Sequence, residues 1–227
     1  MLINQLCDYF DALLDLIFPS NIKCIVCNEE LNLIDTIDIC EKCFNKIEFI
    51  DWDEDSSGLL LSFEHILTVA IYNDVIKKMI FDLKYYDKTH IAKTIAHLMN
   101  RKLGEFDLDF DMIVAIPLHS SKKRDRGFNQ VHLICKHLNK LLKKEYKEDI
   151  LARTKKTEDM NRLTRLQRFE NVEGAFRVLD MRLVMNKRIL LIDDVLTTGA
   201  TANACSNTLI EAGAKSVNLL TFARGYY

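Results

Sequence analysis

Residues 188–201, Arg-Ile-Leu-Leu-Ile-Asp-Asp-Val-Leu-Thr-Thr-Gly-Ala-Thr, constrain the fold more than any other stretch of the chain. Residues 189–192 have the length and β-branched content of a strand buried on both faces. Asp193 and Asp194 then sit side by side beyond its carboxyl end, where an open α/β sheet places its ligands. Val195, Leu196, Thr197, Thr198, Gly199, Ala200 and Thr201 follow, and from Thr197 on they are small enough for backbone N–H groups to converge on an anion. A helical pattern comes next, and its dipole adds positive potential at the same place. Two carboxylates beside a phosphate cradle suit a ligand with a phosphate at one end and a diol at the other, as in a ribose 5-phosphate. An Asp-rich turn between a strand and a helix can also be purely structural. Adjacent like charges, however, repel without a cation or polyol partner.

Patterning around this segment extends the α/β reading. Residues 65–72 read as a strand, 75–85 and 91–103 as helices, 112–116 as a strand and 128–144 as a helix with a basic outer face. After 189–192, residues 200–212 read as a helix closed by Gly213, and 217–222 as the last strand. Strands and helices in turn predict a largely parallel three-layer sheet. The acidic run 51–55, followed by Ser56, Ser57 and Gly58, marks the expected boundary. It divides an N-terminal module, 1–58, from an α/β domain, 59–227.

The N-terminal module carries Cys24-x-x-Cys27 and Cys40-x-x-Cys43. Four thiolates so paired suit a closed, structural Zn²⁺ site in a ribbon too small to hold a core of its own. Disulfides are the alternative, disfavoured in a chain with no export signal. A CxxC redox site would need only one pair. Ahead of the knuckles, residues 2–17 place apolar side chains at helical spacing, with an acidic opposite face that would be repelled by anionic lipid. The start of the chain has no basic leader and is interrupted by Asp8, Asp11 and Asp15, which sets a cytoplasmic location as the expectation. No apolar run reaches the length of a membrane span.

The net charge of −2 conceals an uneven distribution. Residues 28–64 hold eleven acids against two bases, while 118–168 hold fifteen Lys or Arg against six Asp or Glu. The basic part suits phosphate-rich ligands, from a pyrophosphate to a nucleic-acid backbone. Within it, Pro117, His119, Arg124, Arg126, Gly127, Asn129 and Gln130 lie where a strand end, basic residues and a helix start make a second anion cradle. Lys122 and Lys123 read as a solvated turn, and His119 fits a loop histidine equally well. Residues 151–176, with Arg153, Lys155 and Arg168, are too long and basic for a tight connection. They suit a lid, a surface helix, or both. Lys84 reads more simply as a lysine snorkelling from a core helix.

Taken in order, these residues resemble the ComF (competence protein F) family of phosphoribosyltransferase-like proteins. The resemblance rests on Phe18-Pro19, the four cysteines, Leu83-Lys84-Tyr85, Ile116-Pro117-Leu118-His119 and Arg124-x-Arg126-Gly127-Phe128-Asn129-Gln130. It continues through Leu151-x-Arg153, Thr157, Arg168, Asn171-Val172, Gly174-Ala175-Phe176, Asp193 to Thr201 and Ala212-Gly213-Ala214. Met160 stands where the family usually has Gln. The resemblance implies a type I phosphoribosyltransferase-like fold with a zinc ribbon, and a site for 5-phosphoribosyl 1-pyrophosphate (PRPP) with Mg²⁺. In that site Asp193 and Asp194 meet the ribose hydroxyls and the small-residue loop meets the 5′-phosphate. Lys84, Pro117, His119, Arg124, Arg126, Gly127, Asn129, Gln130, Arg153, Lys155 and Arg168 are candidates to contact pyrophosphate or DNA. It also implies a role in DNA uptake during natural transformation, with single-stranded DNA and uptake proteins as partners. The alternative is an active phosphoribosyltransferase of nucleobase-salvage type without a DNA role.

Overall fold

The computed structural model describes residues 23–31, 37–51, 62–155 and 163–225. The expected helix over 2–17, together with Thr157 and Met160, lies outside the described residues. The chain divides into two compact units, 1–46 and 47–227. This division falls earlier than the acidic run suggests, because residues 48–50 pair with the first strand of the sheet. Ile50 N–H donates to Val69 O at 3.0 Å and Ile71 N–H to Glu48 O at 2.9 Å.

In the first unit, two turns bring the cysteines together. Cys24 N–H donates to Glu29 O at 2.8 Å and Asn28 N–H to Cys24 O at 2.9 Å, closing the first knuckle. Asn28 sits at φ 63°, a left-handed position that Asn tolerates better than most residues. The second knuckle opens α1 (Glu41–Phe44) with Cys40 at its N-cap. Ile25 N–H donates to Asp38 O at 2.9 Å and ties the two turns together.

The second unit is an open, wholly parallel sheet flanked by helices. Its elements are β1 (Ile66–Ile71), α2 (Asp74–Tyr85), α3 (Ile91–Leu103), β2 (Met112–Ala115), α4 (Ser120–Arg126), α5 (Gln130–Leu142) and β3 (Glu145–Tyr146). Then come β4 (Leu151–Arg153), α6 (Arg165–Val172), β5 (Phe176–Val178), a short 3₁₀ turn, β6 (Arg188–Leu196), α7 (Ala200–Glu211) and β7 (Ser216–Arg224). The strand order is β1-β7-β6-β2-β3, while β4 and β5 form a separate antiparallel ribbon. Strands β6 and β7 lie inside the sheet and are mostly buried, β7 along all but its last residue, as a sheet covered on both faces requires. Ile189 and Leu191 share a core with Cys205 and Leu209 of α7. Strand alternation turns Leu190 and Ile192 to the opposite face. There α3 and α5 pack on each other, with α3 on β1 and β7 and α5 on β2 and β6.

Three elements differ from their sequence reading. Strand β6 does not stop at Ile192 but runs on through both acids to Leu196, because β7 continues to pair with it as far as Leu196↔Arg224. Lys122 and Lys123, expected in a solvated turn, lie in a short helix over residues 120–126. It ends at Gly127, whose φ of 83° suits glycine. Helix α5 begins at Gln130, later than expected, because Asn129 caps it. The long basic segment 151–176 is bracketed by the β4–β5 ribbon and contains α6, whose start carries a Thr164–Gln167 capping box.

Candidate functional site

The β2–β6 ladder ends at Ala115↔Ile192, while β6 extends further along β7. Asp193 and Asp194 thus stand just past the end of β2 on an open side of the strand. The chain leaving β2 goes to α4 and α5, and the chain leaving β6 goes to α7 on the other face. Such a reversal between neighbouring strands opens a crevice at their carboxyl ends.

Adjacent strand residues point to opposite faces, so the two acids diverge. Asp194 is buried on the α2–α5 side. Lys84 Nζ lies 2.8 Å from its Oδ2, and Gln130 Nε2 donates to the same oxygen at 2.6 Å. Arg126 Nη1 in turn donates to Gln130 Oε1, one helical turn away across Gly127. Burial alone would push the Asp194 carboxyl up, but the Lys84 ammonium and the Gln130 amide hold it below the usual carboxylate range. Burial likewise pulls Lys84 down, and the adjacent Asp194 charge outweighs it and leaves the ammonium raised.

Asp193 is half-buried on the α7 side, and its Oδ1 accepts the Asp194 N–H at 2.8 Å. Burial and the neighbouring Asp194 charge push it up to about 8, against the pull of Lys84 and Arg153. The pair therefore carries close to one negative charge at neutral pH, and Lys84 offsets it. This answers the repulsion problem: the partner cation comes from the end of α2.

Beyond the strand, Thr197 is exposed and Thr198 half-exposed, and Gly199 takes a left-handed φ of 76° directly before α7. The Thr198 hydroxyl accepts the Ala200 N–H at 3.5 Å. Leu196 and Ala200 belong to the core, so they present backbone rather than side chain to this turn. Val195 and Thr201 are half-buried.

On the β2 side, Pro117 is buried and His119 caps α4, its Nδ1 accepting Ser121 N–H at 3.2 Å. The Asn129 side chain accepts Val131 N–H at 3.0 Å and donates to Ile116 O at 3.2 Å, binding the start of α5 to the end of β2. Arg153 lies with its guanidinium 5.5 Å from the Phe176 ring centroid, and its charge is felt by Asp193. The geometry thus gathers Lys84, Arg126, Gln130 and Asp194 into one hydrogen-bonded chain, with Arg153 on the Asp193 side. Arg124 on α4 and Lys155 are exposed and stand outside that chain. Arg168 donates from Nε to Leu163 O at 3.2 Å, within its own segment. Sequence reading underrates Lys84 and passes over Phe81, Tyr86 and the ring of Phe128. Phe81 and Tyr85 are spaced i, i+4 away from the buried stripe of α2, and that spacing is the signal for them.

In the other unit, the ligand atoms of Cys24, Cys27, Cys40 and Cys43 all lie within 4.8 Å of one another. Tetrahedral Zn²⁺ with Zn–S of about 2.3 Å separates its sulfurs by about 3.8 Å, so this donor set fits a zinc ribbon. It is the one such metal-ligating cluster among the described residues. No helix among them is long and apolar enough to cross a membrane.

No protein-family model matches the chain. It is 29% identical over 167 residues to the DNA utilization protein YhgH of Escherichia coli K12, covering 71% of this chain and 72% of that protein. It is 30% identical over 161 residues to the competence protein ComFC of Streptococcus pneumoniae, covering 69% and 66%. To competence protein F of Haemophilus influenzae it is 23% identical over 225 residues, covering 90% and 97%. Among solved structures, a glutamine PRPP amidotransferase from B. subtilis complexed with ADP and GMP aligns with a TM-score of 0.43 and 15% identity. That alignment covers 62% of this chain and 30% of the other.

Proposed function

The chain belongs to the competence protein F (ComF) family, and from that premise we propose that its α/β unit binds PRPP together with Mg²⁺ and serves DNA uptake on the cytoplasmic side of the membrane. The observation that carries this reading is the acid pair at the open end of β6, one turn from a glycine-centred loop that starts a helix. A ribose 5-phosphate matches both features: its hydroxyls fit the carboxyl groups, and its phosphate fits the N–H groups of residues 197–201.

The chemistry of each acid follows from its surroundings. Asp194, ionised and held by Lys84 and Gln130, is a fixed hydrogen-bond acceptor. Asp193, close to neutral, can donate or accept. Arg126 and Lys84 supply positive charge for a diphosphate, and Arg153 supplies it from the ribbon side. Mg²⁺ would enter with the diphosphate oxygens and neutralise their charge. The four cysteines would hold a structural Zn²⁺. Ribosyl transfer would further require a nucleophile to bond to C1 as pyrophosphate departs with the C1–O electron pair, the positive charge that develops there being stabilised by the acid pair.

Calorimetric titration of PRPP, with and without Mg²⁺, into the wild type and Asp193→Asn/Asp194→Asn tests the reading. Binding that weakens at least tenfold in the double variant is expected. Unchanged affinity would overturn the site assignment. Pyrophosphate release in the wild type that disappears in the double variant would make the protein an enzyme. Its absence with each nucleobase tried would leave PRPP as a bound effector.

A further inference from the structure

The C-terminal end of α2 carries three aromatic rings that the core does not use. Phe81, Tyr85 and Tyr86 are 46%, 65% and 63% exposed. Ring centroids lie 4.9 Å apart for Phe81–Tyr85 and 5.7 Å apart for Phe81–Tyr86. Beside them a cavity of about 330 Å³ is lined by Lys84, Tyr85, Phe128, Lys122, Arg126, Asp87 and Asp125, so it borders the Lys84–Asp194 pair. The Arg126 guanidinium sits 5.3 Å from the Tyr85 ring centroid, a cation–π geometry that holds the ring in place. Along α4 the neighbouring Lys122, Lys123 and Arg124 are all exposed.

We infer that this cavity takes an unpaired base of single-stranded DNA, stacked on Tyr85, with the adjoining phosphates on Lys122, Lys123 and Arg124. The inference rests on the DNA part of the proposed function and gives it a place. Flat aromatic surface next to mobile cations is the combination that binds single strands, because every base has a π face and every nucleotide a charge. The cavity is at the small end of ligand sites, large enough for one base and not for a duplex. Asp87 and Asp125, exposed residues of its lining, repel phosphate, so the base enters and the phosphates stay on the α4 rim. Their oxygens also accept hydrogen bonds from the amino groups that unpaired bases expose. Through Arg126, Gln130 and Lys84 the face adjoins the acid pair, so a strand lying there runs along the edge of the ribose site.

The test is fluorescence anisotropy of a labelled mixed-sequence single strand with the full-length chain, and with Tyr85→Ala, Tyr85→Trp and Lys122→Ala/Lys123→Ala. Tyr85→Ala should weaken binding roughly tenfold, and Tyr85→Trp should restore it. The double lysine variant should flatten the dependence of log K on log salt by about 0.7 for each phosphate it no longer neutralises. A duplex of the same sequence should compete poorly. Equal binding by wild type and Tyr85→Ala, or equal competition by the duplex, overturns the site while leaving the DNA role standing. A wild type that binds no single strand removes the DNA role as well, without touching PRPP binding. Tighter binding of the matching RNA strand would assign the face to RNA and overturn the proposal. Tyr85 is exposed, so an unchanged unfolding midpoint for Tyr85→Ala separates lost stacking from lost fold.

Discussion

The Lys84 ammonium stands 2.8 Å from the Asp194 carboxylate, tying the last turn of α2 to the central strand. The side chains retain only 20% and 8% of their exposure, so water screens the pair weakly. Lys84→Met should leave Asp194 buried without its cation and cost about 2–3 kcal/mol, below the range for fully buried pairs because Lys84 keeps some solvent. Adding Asp194→Asn should recover most of that loss, since it removes the orphaned charge. Urea unfolding of the two single variants and the double variant measures the coupling. Additive losses would show that the ion pair does not hold the strand end.

Asp193 makes a prediction of opposite sense to an ordinary acid. Its carboxyl titrates near 8 in the folded chain because of burial and the charge of Asp194, and near 3.9 when unfolded. Between those values the folded form holds a proton that the unfolded form has lost. The contribution to stability is therefore complete below about pH 4 and falls as pH rises toward about 8. Asp193→Asn removes this dependence. Compared with that variant, the wild type should lose more than about 1 kcal/mol between about pH 5 and about pH 8. Parallel stability curves for the two proteins would show that Asp193 is ionised throughout.

Strands β1, β2, β6 and β7 are legible in local pattern because each holds a short apolar run whose character does not depend on partners, whereas β3, only Glu145 and Tyr146, has no such run. The cysteine knuckles are legible for a similar reason, since spacing alone places thiolates. What local pattern hides depends on distant pairing. Strand β6 includes Asp193 and Asp194 only because β7 runs alongside as far as Arg224, and no local pattern puts two acids inside a central strand. Lys84 reads as a snorkelling lysine because its partner is more than a hundred positions away. Residues 120–126 have no apolar periodicity, so only the His119 cap and Gly127 mark them as a helix. Asn129 and Gln130 stand out in the sequence, but their targets, Ile116 O and Asp194, emerge only in three dimensions.

Asn129 joins two elements with one amide. Its oxygen caps α5 and its nitrogen meets the carbonyl of Ile116, both in buried surroundings. Asn129→Ala removes the cap and leaves a buried carbonyl unsatisfied, at a cost of about 2 kcal/mol. Asn129→Asp keeps the cap but faces the Ile116 carbonyl with a carboxylate that cannot donate. It should therefore be no better than Ala at neutral pH. An aspartate variant as stable as the wild type in thermal unfolding would show that the Ile116 hydrogen bond carries nothing.

In the first unit the buried apolar side chains among the described residues are few, with Ile25 and Ile39 beside Cys24 and Cys43. So small a core cannot hold two knuckles in register, and a metal bond network is the usual substitute. Purified protein should carry about one zinc per chain, the full complement of a four-thiolate site. Cys43→Ser should lower this to near zero, with residues 23–31 and 37–46 losing their amide-exchange protection. Residues 62–155 have a separate core and should keep theirs. Cobalt added to the chelated protein should give the intense thiolate charge-transfer band of a tetrahedral sulfur site. Recovery of metal-free protein whose mass shows two disulfides, with the same exchange protection, would replace zinc by cystine as the staple of this unit.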